Sequence, residues 1–152
     1  MIDRPIYGKQ KWDAMKKVLG ENFSKNKIEN YYDFIQLAEL GLDGKILENF
    51  RQYFNLSINA TADLLNVSEP TLYRWANSNK KIEQQHSVKL YELTELFLHG
   101  ISVFETNKNF FTWLDLPNRS MGGLKPFKVL ELPGGTAKVK AIIGRIEHGV
   151  FS

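Results

Sequence analysis

The stretch SINATADLLNVSEPTLYRWANSNKK, residues 57–81, decides how the middle of the chain folds. Its pattern predicts two short helices joined by a polar turn, the first running from about Asn59 to Asn66. Ser68 is a good N-cap for the second helix, because its hydroxyl can accept a hydrogen bond from a free amide of the first turn. Pro70 falls in that turn, where its missing N–H is not needed. The residues expected to pack between the helices are Ala62, Leu65, Val67, Leu72 and Trp75.

The spacing of these apolar residues resembles the helix-turn-helix of phage-repressor-like regulators. A small residue at the position of Ala62 lets the two helices cross closely. The turn usually has a glycine where this chain has Asn66, and asparagine tolerates the left-handed conformation that glycine supplies. The resemblance implies that the second helix lies in the major groove of DNA. The residues that would then face base edges or phosphates are Ser68, Glu69, Thr71, Tyr73, Arg74, Asn77, Lys80 and Lys81.

Charge is unevenly distributed along the 152 residues, whose formal net charge is +3. Residues 58–107 hold four Lys/Arg and six Asp/Glu, whereas residues 108–152 hold seven and three. The basic surplus of the C-terminal stretch can attract a nucleic acid or an acidic protein partner. A net negative middle segment would bind DNA weakly as a single copy. A helical hairpin without a DNA role therefore stays open, and DNA binding calls for a dimer that presents two such helices.

The composition is that of a soluble globular protein, with 43% hydrophobic and 24% charged residues. The longest apolar runs are far shorter than the roughly 18 residues that span a bilayer, and the N-terminus lacks the apolar core of a secretory signal. The absence of cysteine excludes disulfides and favours a cytoplasmic location. The three histidines lack metal-ligand spacing, and no catalytic or phosphate-binding motif is present. We therefore predict no catalytic residues, no metal site, no cofactor and no membrane partner, and an enzyme is disfavoured.

Helical periodicity recurs along the rest of the chain, so we predict an all-α fold. Residues 1–28 are expected to be a peripheral segment with a short helix ending at Gly20. Residues 29–107 would form the helix-turn-helix DNA-binding and dimerisation region. Its last helix is long, and Gly100 would kink that helix or allow a close helix contact. Residues 108–152 would form a C-terminal helical subdomain.

Short helices and tight turns alternate in the C-terminal stretch, residues 110–152. Pro117-Asn118 would end a helix sharply, and Gly122-Gly123 gives a backbone that permits close approach. Pro126 can start a short helix, and Thr136 can cap the last one. The apolar stripe of that last helix comprises Val139, Ile142, Ile143 and Ile146. A subdomain that only completes the core is the simpler interpretation, and a surface built for recognition is the other.

Several residues of this stretch form a recognisable set. They are Trp113-Leu114, Pro117-Asn118, Gly122-Gly123, Pro126 and Gly144-Arg145-Ile146-Glu147-His148-Gly149-Val150. As a set, with the helix-turn-helix upstream, they resemble the Xre-like antitoxins of RES–Xre toxin–antitoxin modules, which are related to the MbcA/ParS/Xre toxin-binding domain proteins. The resemblance covers roughly residues 30–152. It implies a bacterial antitoxin that blocks a RES-domain toxin, dimerises and binds operator DNA of its own operon.

The same resemblance implies that the C-terminal domain contacts the toxin, which degrades NAD, so that NAD is a substrate of the toxin and not a ligand of this chain. Toxin contacts are expected from Asn118, Gly122, Gly123, Arg145, Glu147, His148, Gly149, Phe151 and Ser152. Glu147 and the Ser152 carboxylate are the anions that would stand in for the phosphates of a dinucleotide. The alternative is a stand-alone transcriptional regulator whose C-terminal domain only dimerises.

Overall fold

The computed structural model describes residues 9–25, 28 and 30–149. Over these ranges the chain is predominantly helical, with one pair of two-residue strands, which confirms the all-α prediction. In chain order the elements are α1 (Lys9–Lys25), α2 (Tyr31–Leu40), β1 (Leu42–Asp43), α3 (Ile46–Phe54), α4 (Ile58–Leu65), α5 (Glu69–Ala76), β2 (Lys81–Ile82), α6 (Gln84–Phe104), α7 (Asn107–Leu114), a 3₁₀ turn (Arg119–Met121), α8 (Pro126–Leu130) and α9 (Gly135–Glu147). No helix in these described ranges is long and apolar enough to cross a membrane.

The chain divides into two compact units, residues 1–94 and residues 95–152. The division falls inside α6, which belongs to both units. The sequence had placed a boundary at residue 107, after the predicted long helix. Since α6 ends at Phe104, its last turns are part of the C-terminal unit and supply that unit with core residues.

A two-residue strand pair organises the N-terminal unit. Leu42 pairs with Ile82, and Asp43 pairs with Lys81, in antiparallel register. The buried hydroxyl of Ser87 on α6 accepts a hydrogen bond from the amide of Leu42 at 3.1 Å and donates one to the carbonyl of Ile82 at 3.0 Å. Because one hydroxyl bonds both strands, it fixes the strand pair against the start of α6.

The N-terminal helix α1 contributes to the core of this unit. Its apolar residues Met15, Val18, Leu19 and Phe23 are buried. The backbone leaves helical geometry at Gly20, with φ 82°, yet the helix resumes as far as Lys25. Gly20 therefore ends the first helical stretch, as predicted, and a second stretch follows it. Residues 1–28 are predicted to be peripheral, whereas the described helix α1 packs in the core, because its apolar residues on both sides of the glycine are buried.

The C-terminal unit is built on an aromatic cluster around Phe110, which is fully buried. The Phe110 ring centroid lies 5.9 Å from that of Phe97, 5.7 Å from that of Phe104 and 6.3 Å from that of Trp113. A Cβ atom at Gly100 would lie 2.2 Å from the Phe110 ring, so α7 packs on α6 only because residue 100 lacks a side chain. Of the two roles predicted for Gly100, the structure shows the close contact.

The helices α8 and α9 contact each other and complete this unit. Pro126 lies in the first turn of α8, as predicted. The prediction that Thr136 caps α9 is wrong, because Gly134, in a left-handed conformation, is the cap residue and makes no side-chain hydrogen bond. The Thr136 hydroxyl is instead buried with no hydrogen-bond partner within the described chain. The predicted stripe of α9 faces the core through Val139, Ile142 and Ile143.

Substitution of Gly100 on α6 and of Gly144 on α9 should have opposite effects on stability. Gly100→Ala should lower the free energy of unfolding by about 1–3 kcal/mol, because the added methyl group overlaps the packed Phe110 ring. Gly144→Ala should raise it by about 0.5–1 kcal/mol, because alanine favours the helix and its Cβ would meet no atom within 4 Å. Urea denaturation followed by circular dichroism measures both. A Gly100→Ala protein as stable as the wild type would contradict the packing described for Phe110.

Candidate functional site

The turn between α4 and α5 consists of Asn66, Val67 and Ser68. Asn66 adopts the left-handed conformation, with φ 57° and ψ 44°, as predicted. The amide of Val67 donates to the carbonyl of Ala62 at 3.1 Å, which turns the chain back over α4. Ser68 caps α5, as predicted, by accepting a hydrogen bond from the amide of Thr71 at 3.2 Å. Local side-chain chemistry therefore sets the direction of α5.

The residues predicted to face DNA share the outer side of α5 and the segment after it. Leu72 and Trp75 are buried on the inner side. Thr71 is half-buried, and the exposed members of the set are Ser68, Glu69, Tyr73, Arg74, Asn77, Lys80 and Lys81. The exposed members on α5 therefore lie opposite its buried side, and Lys80 and Lys81 are exposed in the segment that follows. The set contains three cations and one carboxylate.

Some polar groups on this face bond within the chain. The amide of Asn59 donates to the Glu69 carboxylate at 3.2 Å, and the Arg74 guanidinium donates to the Thr71 hydroxyl at 3.3 Å. The Asn77 side-chain amide donates to the carbonyl of Tyr73 at 3.0 Å. These bonds hold Glu69 and Arg74 in defined positions at the start and the middle of α5.

Asn118 organises the loop between α7 and α8. Its side-chain oxygen accepts a hydrogen bond from the amide of Ser120 at 2.8 Å. Its backbone amide donates to the carbonyl of Leu124, and its carbonyl accepts from the amide of Gly123, both at 2.9 Å. Asn118 was predicted from the family resemblance to contact a toxin. In the structure it folds the loop, and toxin contact by this residue stays a prediction.

Gly122 and Gly123 lie at the outer side of this loop, and both are exposed. Their φ angles of 66° and 86° are in the left-handed region, which side chains other than glycine rarely adopt. A Cβ atom at either position would meet no atom within 4 Å. The left-handed backbone conformation explains why glycine occupies both positions, and the space beside them is open.

The end of α9 carries the remaining predicted toxin contacts. The Glu147 carboxylate lies 3.2 Å from Nε2 of His99 on α6. The Nδ1 atom of His148 lies 3.0 Å from the carbonyl oxygen of Gly144, one turn earlier. Arg145 is exposed. Sequence reasoning did not identify His99, because a lone histidine far from Glu147 along the chain gives no signal of the pair.

Three further residues complete this predicted set. Gly149 is exposed, follows α9 with φ 79°, and donates its amide to the carbonyl of Ile146 at 3.1 Å. The left-handed glycine thus ends the helix. Phe151 and Ser152, including the proposed Ser152 carboxylate, lie outside the described residues.

Ion pairs leave a positive surplus on the C-terminal unit. Lys125 pairs with Asp115 at 3.2 Å, and Lys140 pairs with Glu95 at 3.6 Å. Lys128 pairs with Glu131 at 3.2 Å. Within the described part of this unit, the cations without a carboxylate partner are Lys108, Arg119, Lys138 and Arg145.

Neither surface has the features of a metal centre. In the described ranges no three histidine or carboxylate side chains come close enough together to hold a metal ion. Burial lowers the pKa of Lys89 on α6, and the negative charge of Glu92 opposes that shift. This lysine belongs to neither set of candidate residues.

Residues 99–149 match the family model described as the antitoxin Xre/MbcA/ParS C-terminal toxin-binding domain. The chain is 21% identical over 119 residues to an antitoxin Xre of Yersinia enterocolitica, covering 78% of this chain and 80% of that protein. It is 22% identical over 113 residues to an antitoxin Xre of Photorhabdus laumondii, covering 74% and 76%. The C-terminal unit therefore contains a domain of the Xre/MbcA/ParS antitoxin type, and the chain is similar to Xre antitoxins over about three quarters of its length.

The fold is similar to that of a solved structure. A chain in the crystal structure of the M. tuberculosis MbcT–MbcA toxin–antitoxin complex superposes with a TM-score of 0.53 at 18% identity. The match covers 72% of this chain and 96% of that chain. The domain matched by the family model begins at His99, so it contains the loop built on Asn118 and the whole of α9, whereas α4 and α5 lie outside it.

Removal of the Ser68 hydroxyl should destabilise the N-terminal unit. Ser68→Ala should lower the free energy of unfolding by about 1 kcal/mol, because the amide of Thr71 loses its cap. Ser68→Thr, which keeps an acceptor oxygen, should recover most of that loss. Thermal unfolding followed by circular dichroism compares the two variants. Equal stability of Ser68→Ala and wild type would show that the cap does not set the start of α5.

Proposed function

We propose that this antitoxin binds a cognate RES-domain toxin through its C-terminal unit and thereby stops the toxin from degrading NAD. The observation that carries the proposal is the match of residues 99–149 to a domain described as toxin-binding. The surplus of exposed cations on the same unit supports a protein partner of opposite charge. NAD is then the substrate of the partner.

The last turn of α9 is the part of the domain proposed to enter the toxin's substrate cleft. Arg145 and Glu147 are both exposed there. One oxygen of Glu147 lies against His99. A carboxylate has a second oxygen that accepts hydrogen bonds, so Glu147 can hold His99 and still present negative charge to a cleft that binds phosphates. His99 is then a positioning residue for that carboxylate.

We also propose that the α4–α5 pair binds operator DNA and represses the operon of the antitoxin. The exposed Arg74, Lys80 and Lys81 suit phosphate contacts. Ser68 and Thr71 lie at the N-terminal end of α5. The N-terminal residues of a recognition helix are the ones that contact base edges. Three cations give weak binding from one copy, so the proposal requires a homodimer that presents two such faces.

Deletion of residues 147–152 should relieve toxin inhibition, because it removes Glu147 and the segment proposed to fill the cleft. Cellular NAD measured after co-expression with the toxin should fall to the level seen with toxin alone. The full-length chain is the control and should preserve NAD. Unchanged neutralisation by the shortened chain would contradict the role of this segment.

Two arginine substitutions should separate the proposed activities. Arg74→Ala should weaken operator binding about tenfold and leave toxin capture unchanged, since a lost phosphate or base contact costs on the order of 1–3 kcal/mol. Arg145→Ala should weaken toxin capture and leave operator binding unchanged. Electrophoretic mobility shift and co-purification measure the two activities.

If either substitution lowers both activities together, the two functions do not reside on separate surfaces. An antitoxin-like chain that binds DNA as a dimer but captures no RES-domain protein would instead be a stand-alone regulator whose C-terminal domain only dimerises.

A further inference from the structure

The loop formed by residues 115–125 exposes two leucines. Leu116 is 55% exposed, and Leu124 is 45% exposed. Each is next in sequence to one member of the Asp115–Lys125 ion pair, whose atoms lie 3.2 Å apart, so the leucines flank the point where the loop closes. Side chains of this size gain free energy on leaving water, and neither is covered within its own unit.

The 115–125 loop has a defined conformation. The amide of Asn118 donates to the carbonyl of Leu124, and the amide of Gly123 donates back to the carbonyl of Asn118. The 3₁₀ turn Arg119–Met121 lies in sequence between the residues that these bonds join. A surface whose backbone is already ordered loses less conformational entropy on binding than a flexible one. The exposed leucines are therefore presented in a form suited to docking.

The charge on the loop indicates the chemistry of its partner. Arg119 is exposed and has no carboxylate partner within the described residues. Over the described part of the C-terminal unit, four cations lack such a partner, whereas two carboxylates, Glu105 and Glu147, lack a lysine or arginine partner. A surface of this kind attracts negative charge. Phosphate binding alone gives no role to two exposed leucines, whereas protein interfaces combine an apolar centre with a charged rim.

We infer that the 115–125 loop is a second docking contact for the toxin, separate from the last turn of α9, and that it binds an acidic patch beside an apolar area of the toxin surface. Leu116 and Leu124 supply the apolar contact, and Arg119 supplies the charge. The open space beside Gly122 and Gly123 lets the partner approach the backbone. This inference rests on the proposed function, because it names a further contact for the same partner.

The test measures the Kd of the full-length chain for the purified toxin by titration calorimetry. The double variant Leu116→Ser/Leu124→Ser should raise the Kd at least tenfold. Leu132→Ser is the matched control, because Leu132 is also exposed, at 42%, but lies outside the loop. It should change the Kd by less than about twofold, as expected for a residue outside the contact.

A charge reversal tests the electrostatic part without altering the leucines. Arg119→Glu should raise the Kd at least tenfold at low salt, with a smaller difference from wild type at high salt. Lys45→Glu is its control, since Lys45 is also exposed but belongs to the N-terminal unit, outside the matched toxin-binding domain. It should raise the Kd by less than about threefold, as a charge outside the contact does.

The possible outcomes separate the inference from the proposed function. If the wild-type chain binds the toxin and the variants Leu116→Ser/Leu124→Ser and Arg119→Glu bind it with the same Kd, the inference is overturned. The proposed function is then unaffected. Failure of the wild-type chain to bind the toxin overturns both. If Arg119→Glu lowers the affinity for operator DNA in a mobility-shift measurement and leaves the Kd for the toxin unchanged, the inference is overturned, and the loop contacts nucleic acid instead. If the leucine variant does not fold, Arg119→Glu and its control decide alone.

Discussion

The contact between Phe110 and Gly100 is the constraint on which the C-terminal unit depends. Because residue 100 has no side chain, the Phe110 ring packs directly on the backbone of α6, and α7 lies close to that helix. The neighbouring residue, His99, places its Nε2 atom 3.2 Å from the Glu147 carboxylate at the end of α9. Two consecutive residues of α6 therefore position both α7, which leads into the 115–125 loop, and the last turn of α9. A partly exposed contact of this kind contributes little stability, so its main effect is to orient Glu147.

Each unit uses local side-chain chemistry to orient the segment that is proposed to bind a partner. In the N-terminal unit, the left-handed Asn66 and the Ser68 cap set the direction of α5. In the C-terminal unit, Asn118 closes the 115–125 loop through its side-chain oxygen and both backbone groups. These segments present exposed polar or apolar groups on ordered backbones, which is the condition for binding without a large loss of conformational entropy.

The sequence predicted the features that depend on neighbours along the chain. Asn66, Ser68 and Pro126 act within one helical turn, so their residue types were sufficient. Thr136 was mispredicted because Gly134 adopts a left-handed conformation that starts α9 without a side-chain cap. Burial of Phe23 and the pairing of His99 with Glu147 depend on residues distant in sequence, and no spacing rule reveals such contacts. For the same reason the sequence did not single out Leu116, Leu124 or Arg119, since exposure of a leucine is known only once the core is assembled.

We propose that one chain carries a toxin-binding surface in its C-terminal unit and a separate DNA-binding face on α5. Hydrogen–deuterium exchange of the full-length chain, alone and with the RES-domain toxin, is the sharpest test of this separation. We expect slower exchange on toxin binding in the 115–125 loop and in residues 144–149, with no change in residues 66–81. Protection confined to residues 66–81, or no protection in the C-terminal unit, would contradict it.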